Sequence, residues 1–193
     1  MKSLACERQF AGNRRMARSA IMNTASQTDC STSDLTINVA EEVSLWRGRY
    51  IEEFAMAEAA VSEALAFLST IASAGAGSLL PHLVGQRFEA LQAVVGAGGP
   101  LASIGGRVAK ALEDFHEHHR HRKFLCHASS EIAVDRSNEW AITLHLTSFR
   151  SRSVERTTLR ISQSEAASLL ERLRNARHRL DGQLCGLLAS FCR

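Results

Sequence analysis

Apolar residues recur at spacings of three and four along much of the chain, and this pattern predicts amphipathic helices. The first predicted helix begins near Glu41, and a glycine- and serine-rich segment over residues 73–78 ends it. Its expected buried face consists of Val43, Trp46, Tyr50, Phe54, Ala57, Val61, Leu65 and Leu68.

Two further helices are predicted after Pro81 and Pro100, because proline is favoured in the first turn of a helix. The second helix has the apolar residues Leu83, Val84, Phe88, Leu91 and Val94, and the glycine-rich segment 96–99 ends it. The third is expected to continue without a break through the histidine-rich residues 115–122 as far as His127. Its predicted inward residues are Ile104, Val108, Leu112 and Phe115.

The spacing of apolar residues then changes to every second position, which predicts β-strands. The clearest strand has Trp140, Ile142, Leu144 and Leu146 on one face and Ala141, Thr143, His145 and Thr147 on the other. Residues 131–136 and 154–161 are its expected partners, and residues 137–139 and 149–153 are the expected turns. Ser162 and Glu165 form a capping box that begins the last helix. The expected buried stripe of that helix is Ala166, Leu169, Leu170, Leu173, Leu180, Leu184 and Leu187.

These elements predict an α+β fold, mainly α, in which a three-stranded antiparallel meander is inserted into a helical bundle before the last helix. The domain is expected to cover residues 41–193. Residues 1–40 lack sustained periodicity, and residues 22–34 are rich in Ser, Thr, Asn and Asp. Residues 1–40 are therefore expected to be a disordered or loosely ordered tail.

Composition points to a cytoplasmic protein. The five cysteines are odd in number and form no Cys-x-x-Cys pair, which is typical of free thiols in a reducing compartment. No apolar run reaches the ~18 residues of a membrane span, although the arginines near the N-terminus leave a transit peptide open. The net charge of +3 makes no case for nucleic acid. Arginine greatly outnumbers lysine, which suits phosphate contacts, but the favoured explanation is a GC-rich genome.

The candidate chemistry lies at the end of the third predicted helix, which reads Arg122-Lys123-Phe124-Leu125-Cys126-His127. Cleavage of RNA through its 2′-hydroxyl needs a base that takes the proton and a cation that offsets charge on the phosphate oxygens. Histidine and arginine suit these two tasks. Five residues correspond to about 140° of helix rotation, so Arg122 and His127 do not share a face. Arg120, seven residues before His127, lies almost on the face of His127 and is the alternate candidate for the cation.

This segment resembles the Arg-polar-(any)3-His signature of the HEPN superfamily, small helical bundles found in many prokaryotic toxin and defence systems. The resemblance implies a bacterial, metal-independent endoribonuclease of toxin or defence type, without a cofactor. His127 would be the base or the 2′-hydroxyl orienter, Arg122 the phosphate clamp and Lys123 the polar auxiliary. The resemblance also implies a homodimer with motifs from two protomers in one cleft, and an antitoxin or other regulatory protein.

The chain departs from the family pattern at two positions. Active members commonly have Asn, Asp or His where this chain has Lys123, and glycine often follows the histidine where this chain has Ala128. A second interpretation is therefore a non-catalytic HEPN-like module that binds RNA or a protein, or only dimerises. In that interpretation, His127 is a favourable cation at a helix C-terminus and Arg122 is a solvated surface residue.

The arginines of the meander are the candidate RNA-binding residues. Their even spacing puts them on one face wherever the chain is extended, and an RNA backbone would attract them. The same arginines equally suit the solvent-exposed face of a half-buried sheet. The four residues are Arg150, Arg152, Arg156 and Arg160.

The histidine-rich segment does not predict a metal site. A zinc-protease helix with the pattern His-Glu-x-x-His would need histidine where Arg120 stands. Neighbouring cations such as Arg122 and Lys123 also disfavour a bound dication. The expected role of His116, Glu117, His118, His119 and His121 is a solvated polar face.

Overall fold

The computed structural model describes residues 29–71, 81–150 and 153–192, and within this part it has five helices and one three-stranded sheet. The predicted α+β class, with the meander before the last helix, is confirmed. The helices are α1 (Asp29–Ser69), α2 (Val84–Val95), α3 (Ala102–His116), α4 (His119–His127) and α5 (Gln163–Ala189). The strands are β1 (Ser129–Val134), β2 (Trp140–Arg150) and β3 (Ser153–Ser162).

Helices α1, α3 and α5 form the centre of the bundle, with α1 and α3 both packed on α5. Every residue predicted to face inward on the first and last helices is buried, and these residues belong to one continuous core. Ser162 and Glu165 form the predicted capping box at the start of α5. The Ser162 hydroxyl accepts the Glu165 N–H at 3.3 Å, and the Glu165 carboxylate accepts the Ser162 N–H at 2.8 Å.

Helix α1 begins at Asp29, earlier than the predicted start at Glu41. Val39 is only 8% exposed, so the core also begins before Glu41. Extending an existing helix costs much less than nucleating one, which explains why a segment rich in serine and threonine is helical here. Residues 29–40 of the predicted tail thus continue α1 in the structure. The rest of it, residues 1–28, lies outside the described residues.

The third predicted helix is two helices, because a turn at Glu117 and His118 separates α3 from α4. In this turn the His118 N–H donates to the Phe115 carbonyl at 3.1 Å. The break lets α3 pack on α5 while α4 packs on α1. It also buries the His118 side chain, whose Nδ1 lies 3.1 Å from the Tyr50 hydroxyl. The prediction of one continuous helix failed because periodicity within a helix does not show which neighbour each face meets.

The predicted inward position of Ile104 is also wrong, since this side chain is 51% exposed. Gly105 occupies the interface between α2 and α3 instead. A Cβ atom on Gly105 would lie 2.6 Å from Cβ of Val95, so the two helices approach too closely there for any side chain.

The sheet is an antiparallel meander with the strand order β1-β2-β3, as predicted. In the turn between β1 and β2 the Asp135 carboxylate accepts the N–H groups of Ser137 and Glu139, at 2.8 and 2.9 Å. Asn138 has a φ of 63° there, which asparagine tolerates better than most residues. The inner face of the sheet packs on the helices through four buried β2 residues, namely Trp140, Ile142, Leu144 and Leu146.

Among the helices of residues 29–71, 81–150 and 153–192, none has the length and apolar character needed to cross a bilayer.

Candidate functional site

Helix α4 is fixed in the fold by two apolar residues, Phe124 and Leu125, which are 5% and 3% exposed. Two groups of side chains stand out among the rest of α4 when its residues are placed at about 100° each around the helix axis. His119 and Arg122 lie towards α1, and we call them the α1-facing side. The members of a second group lie within about 60° of rotation of one another, beginning about 40° from His119. This exposed strip consists of Arg120, Lys123 and His127.

On the α1-facing side, Arg122 is committed to contacts within the fold. Its Nη2 lies 3.1 Å from Oε1 of Glu58, and its guanidinium carbon lies 5.4 Å from the centre of the Phe54 ring. Burial raises the pKa of Glu58, and the charges of Arg122 and Arg87 only partly oppose that rise. Arg122 therefore neutralises a carboxylate that burial disfavours, and the predicted phosphate clamp is already occupied.

His119 lies beside Arg122 and packs edge-on against two aromatic rings. Its ring centre is 5.0 Å from that of Phe54 and 5.2 Å from that of Phe88. Burial lowers the pKa of His119 to about 4, and the nearby His116 and Arg122 add to this effect. The imidazole is therefore neutral at pH 7, and its buried Nε2 has no hydrogen-bond partner among the described residues.

The expectation of a solvated polar face over residues 116–121 is therefore only partly right. His116, Glu117 and Arg120 are exposed, but His118 is buried and His119 and His121 are half-buried. Burial lowers the pKa of His118 and His121 as well. The sequence could have indicated the burial of His118, His119 and His121, because they continue the spacing of the apolar positions on α3.

The exposed strip differs from the α1-facing side because its side chains have no partner in the fold. Within the described residues, no side-chain hydrogen bond or ion pair involves Arg120, Lys123 or His127. Arg120 and His127 lie about 20° apart in rotation and about 10.5 Å apart along the axis. Arg122 and His127, the pair predicted from the family signature, lie about 140° apart. The structure thus groups His127 with the alternate clamp Arg120.

The C-terminal end of α4 is held by Arg47 of α1, a residue that no pattern in the sequence singles out. Its Nη2 donates to the Leu125 carbonyl at 2.7 Å, and its Nη1 donates to the Ser130 hydroxyl at 3.2 Å. Arg47 therefore supplies a cation and donors to the last turn of α4 and ties it to β1. Arg47 thus has the role at the C-terminus of α4 that was suggested for His127.

Two of the four predicted RNA-binding arginines have a defined position on the sheet. Arg156 and Arg160 are exposed on β3, where they pair in register with Thr147 and Thr143 of β2. Arg150 is the last residue of β2, and its side chain is not described. Arg152 lies outside the described residues.

A sizeable cavity in the described part of the chain is separate from the exposed strip. It has a volume of about 670 Å³ and lies between α2 and α3, with Phe88, Leu112 and His119 among its lining residues. Arg120, Lys123 and His127 do not contribute to its wall. Within residues 29–71, 81–150 and 153–192, no three His, Cys, Asp or Glu side chains are grouped to hold a metal ion.

Comparison of the chain with models of protein families, with curated protein sequences and with solved structures finds no match. What the protein does must therefore be argued from its own residues.

Proposed function

We propose that the chain is an HEPN-like, metal-independent endoribonuclease of toxin or defence type, and that the exposed strip of α4 supplies its chemistry. The observation that carries this proposal is the grouping of Arg120, Lys123 and His127 on one solvent-facing flank of a short helix. Unpartnered cations beside an imidazole are suited to a polyanionic substrate. The same residues would be an unusual choice for a packing surface.

The proposed reaction is an internal transesterification. The imidazole of His127 takes the proton of a ribose 2′-hydroxyl, and the resulting oxygen attacks the adjacent phosphorus. The bond to the 5′-oxygen of the next nucleotide breaks, which leaves a 2′,3′-cyclic phosphate and a 5′-hydroxyl after that oxygen is protonated. Arg120 and Lys123 offset the negative charge that builds on the non-bridging oxygens. No metal ion is required at any step.

Arg120 is the proposed clamp in place of Arg122, because the contacts of the two side chains differ. Arg122 is bound to Glu58 at 3.1 Å, and removing it from there would leave a half-buried carboxylate without its cation. Arg120 is free to turn towards a phosphate at no such cost. We assign Arg122 to holding α4 against α1.

A homodimer and a regulatory partner remain part of the proposal. The separation of about 10.5 Å along the helix between Arg120 and His127 leaves room for a cation from a second copy. Light scattering at micromolar concentration should therefore show a dimer. We place the protein in the cytoplasm, where its exposed free cysteines Cys126, Cys185 and Cys192 would stay reduced. A toxin of this type would need an antitoxin that covers the exposed strip.

The test is cleavage of total RNA by the purified protein in the presence of EDTA. Cleavage should persist in EDTA, its products should carry 2′,3′-cyclic phosphate, and single-stranded DNA should be spared because it lacks the 2′-hydroxyl. His127→Ala should abolish most of the activity. His82→Ala is the matched control, because His82 is also exposed. Absence of cleavage, or equal loss in both variants, would contradict the proposal.

The second candidate function is a non-catalytic HEPN-like module that binds RNA or a protein, or only dimerises. The exposed Arg156 and Arg160 on β3 favour this alternative, since they offer a cationic surface away from α4. Binding of RNA with a steep dependence on salt but without cleavage would decide for it.

A further inference from the structure

The hairpin of β2 and β3 presents an apolar pair to solvent. Phe149 is 80% exposed and Val154 is 56% exposed, and the register places them directly opposite each other. Directly opposed residues of antiparallel strands point to the same face. The Phe149 ring and the Val154 side chain are therefore neighbours on one exposed face.

Phe149 and Val154 belong to the outer face of the sheet, the face turned away from the helical core. Strand alternation places every second residue of β2 and β3 on this face. The register then sets His145 opposite Thr158, and Arg156 and Arg160 opposite threonines of β2. The outer face in this region consists of Thr143, His145, Thr147 and Phe149 of β2 with Val154, Arg156, Thr158 and Arg160 of β3.

The charges on the outer face are unevenly distributed. Arg156 and Arg160 are both on β3, about 13 Å apart along the strand. The carboxylate of Glu131 lies on β1 at the other side, 3.7 Å from Nε2 of His145. A polyanion is therefore attracted to the β3 side of the face, beside the exposed ring of Phe149.

The outer face leads directly to the exposed strip of α4. Ser129, the first residue of β1, pairs with His145, which in turn pairs with Thr158. These three residues form a row across the outer face. Only Ala128 separates Ser129 from His127, and two virtual bonds of about 3.8 Å limit the distance between their Cα atoms to about 7.6 Å. A chain lying across the sheet would thus reach the proposed base at its edge.

We infer that the outer face of the sheet binds single-stranded RNA, with a base stacked on Phe149 and phosphates bound by Arg156 and Arg160. Exposed aromatic side chains on sheets stack unpaired bases, whereas an A-form duplex keeps its base faces covered. The proposal names the substrate class of the nuclease, and it rests on the RNA substrate proposed above but not on cleavage. A single aromatic among threonines and arginines suits an RNA strand better than a protein interface, whose centre is depleted in charge.

Binding should be measured by fluorescence anisotropy with a labelled single-stranded RNA of about 12 nucleotides, the scale that such surfaces cover. The protein should carry His127→Ala so that the probe is not cut. Phe149→Ala should weaken binding about tenfold, because stacking of one base is removed. Phe149→Trp should retain the affinity. Arg156→Ala and Arg160→Ala should each lower the slope of log affinity against log salt by about one.

The matched controls lie on α3, where Ile104 is 51% exposed and Arg107 is exposed. Ile104→Ala and Arg107→Ala should leave affinity unchanged, and the thermal melting of all variants should be alike. Equal binding of a duplex RNA, or unchanged affinity of Phe149→Ala, would overturn the inference. So would a change in oligomeric state on Phe149→Ala, because the ring would then be covered by a second copy.

The same variants separate this inference from the proposed nuclease. In the protein with His127 intact, RNA binding that depends on Phe149 but comes without cleavage supports the sheet surface and contradicts the nuclease. Cleavage with an unchanged KM in Phe149→Ala supports the nuclease and contradicts the sheet surface.

Discussion

The two flanks of α4 are built from the same residue types but are used in different ways. On the α1-facing side, Arg122 binds Glu58 at 3.1 Å and His119 packs against Phe54. On the exposed strip, Arg120 and His127 have no side-chain partner among the described residues. An arginine and a histidine on one helix therefore do not form a site because of their spacing alone. Their partners decide whether they are free for chemistry.

The largest expected contrast is between the two histidines. His127→Ala should lower the rate of RNA cleavage about 100-fold or more, the usual effect of losing a positioned general base, and should leave Tm unchanged. His119→Ala should leave cleavage nearly unchanged but cost about 1–3 kcal/mol of stability, since it removes ring contacts inside the fold. Single-turnover cleavage and thermal melting of both variants measure the two effects. Loss of activity in His119→Ala without a lower Tm would contradict the assignment of His119 to packing inside the fold.

A smaller effect is expected from the ion pair of Arg122 and Glu58. Arg122→Ala should lower stability by about 1 kcal/mol, because the pair is only partly buried, and this corresponds to about 2–4 °C in Tm. Glu58→Gln should cost less, since burial already raises the pKa of Glu58 and disfavours its charged form.

A double-mutant cycle with Arg122→Ala and Glu58→Gln isolates the interaction between them. Additive effects of the two substitutions would show that Arg122 does not depend on Glu58. Arg107→Ala is the control, as Arg107 is exposed on α3.

The pH dependence of stability should show the same asymmetry between the two flanks of α4. The pKa of His119 is about 4 in the folded protein and near 6.5 in an unfolded chain. As pH falls below about 6.5, the unfolded state takes up a proton that folded His119 does not, so the free energy of unfolding falls until about pH 4. Above about pH 6.5, His119 is neutral in both states and no longer changes the free energy of unfolding with pH.

His119→Gln should therefore flatten the fall of Tm between about pH 6.5 and 5, whereas His82→Gln should not. Some slope should remain, because burial also lowers the pKa of His118 and His121. An unchanged slope in His119→Gln would show that this imidazole is hydrated in solution.

Most of the fold could be predicted from the sequence, because periodicity reports directly which residues are buried. The inward residues of α1 and α5, the capping box at Ser162 and the meander were all predicted on this basis. The break at Glu117 and the close approach at Gly105 were not predicted, because both depend on how neighbouring helices pack. A local pattern does not contain that information.

The candidate site was predictable only in part for the same reason. Helical rotation alone placed Arg120 near the face of His127 and Arg122 away from it. The partner of Arg122 is Glu58, and the residue that holds the end of α4 is Arg47, both on α1 and far away in sequence. Long-range ion pairs of this kind leave no periodic signal. The choice between the two arginines therefore had to come from the structure.

The most direct test of the account compares Arg120→Ala with Arg122→Ala for both RNA cleavage in EDTA and thermal melting. We expect Arg120→Ala to lose cleavage by about 100-fold, the lower end of the scale for losing one donor to a charged transition state, and to keep its Tm. Arg122→Ala should keep cleavage and lose Tm. The reverse result, with cleavage lost only in Arg122→Ala at an unchanged Tm, would contradict the assignment of the exposed strip as the site.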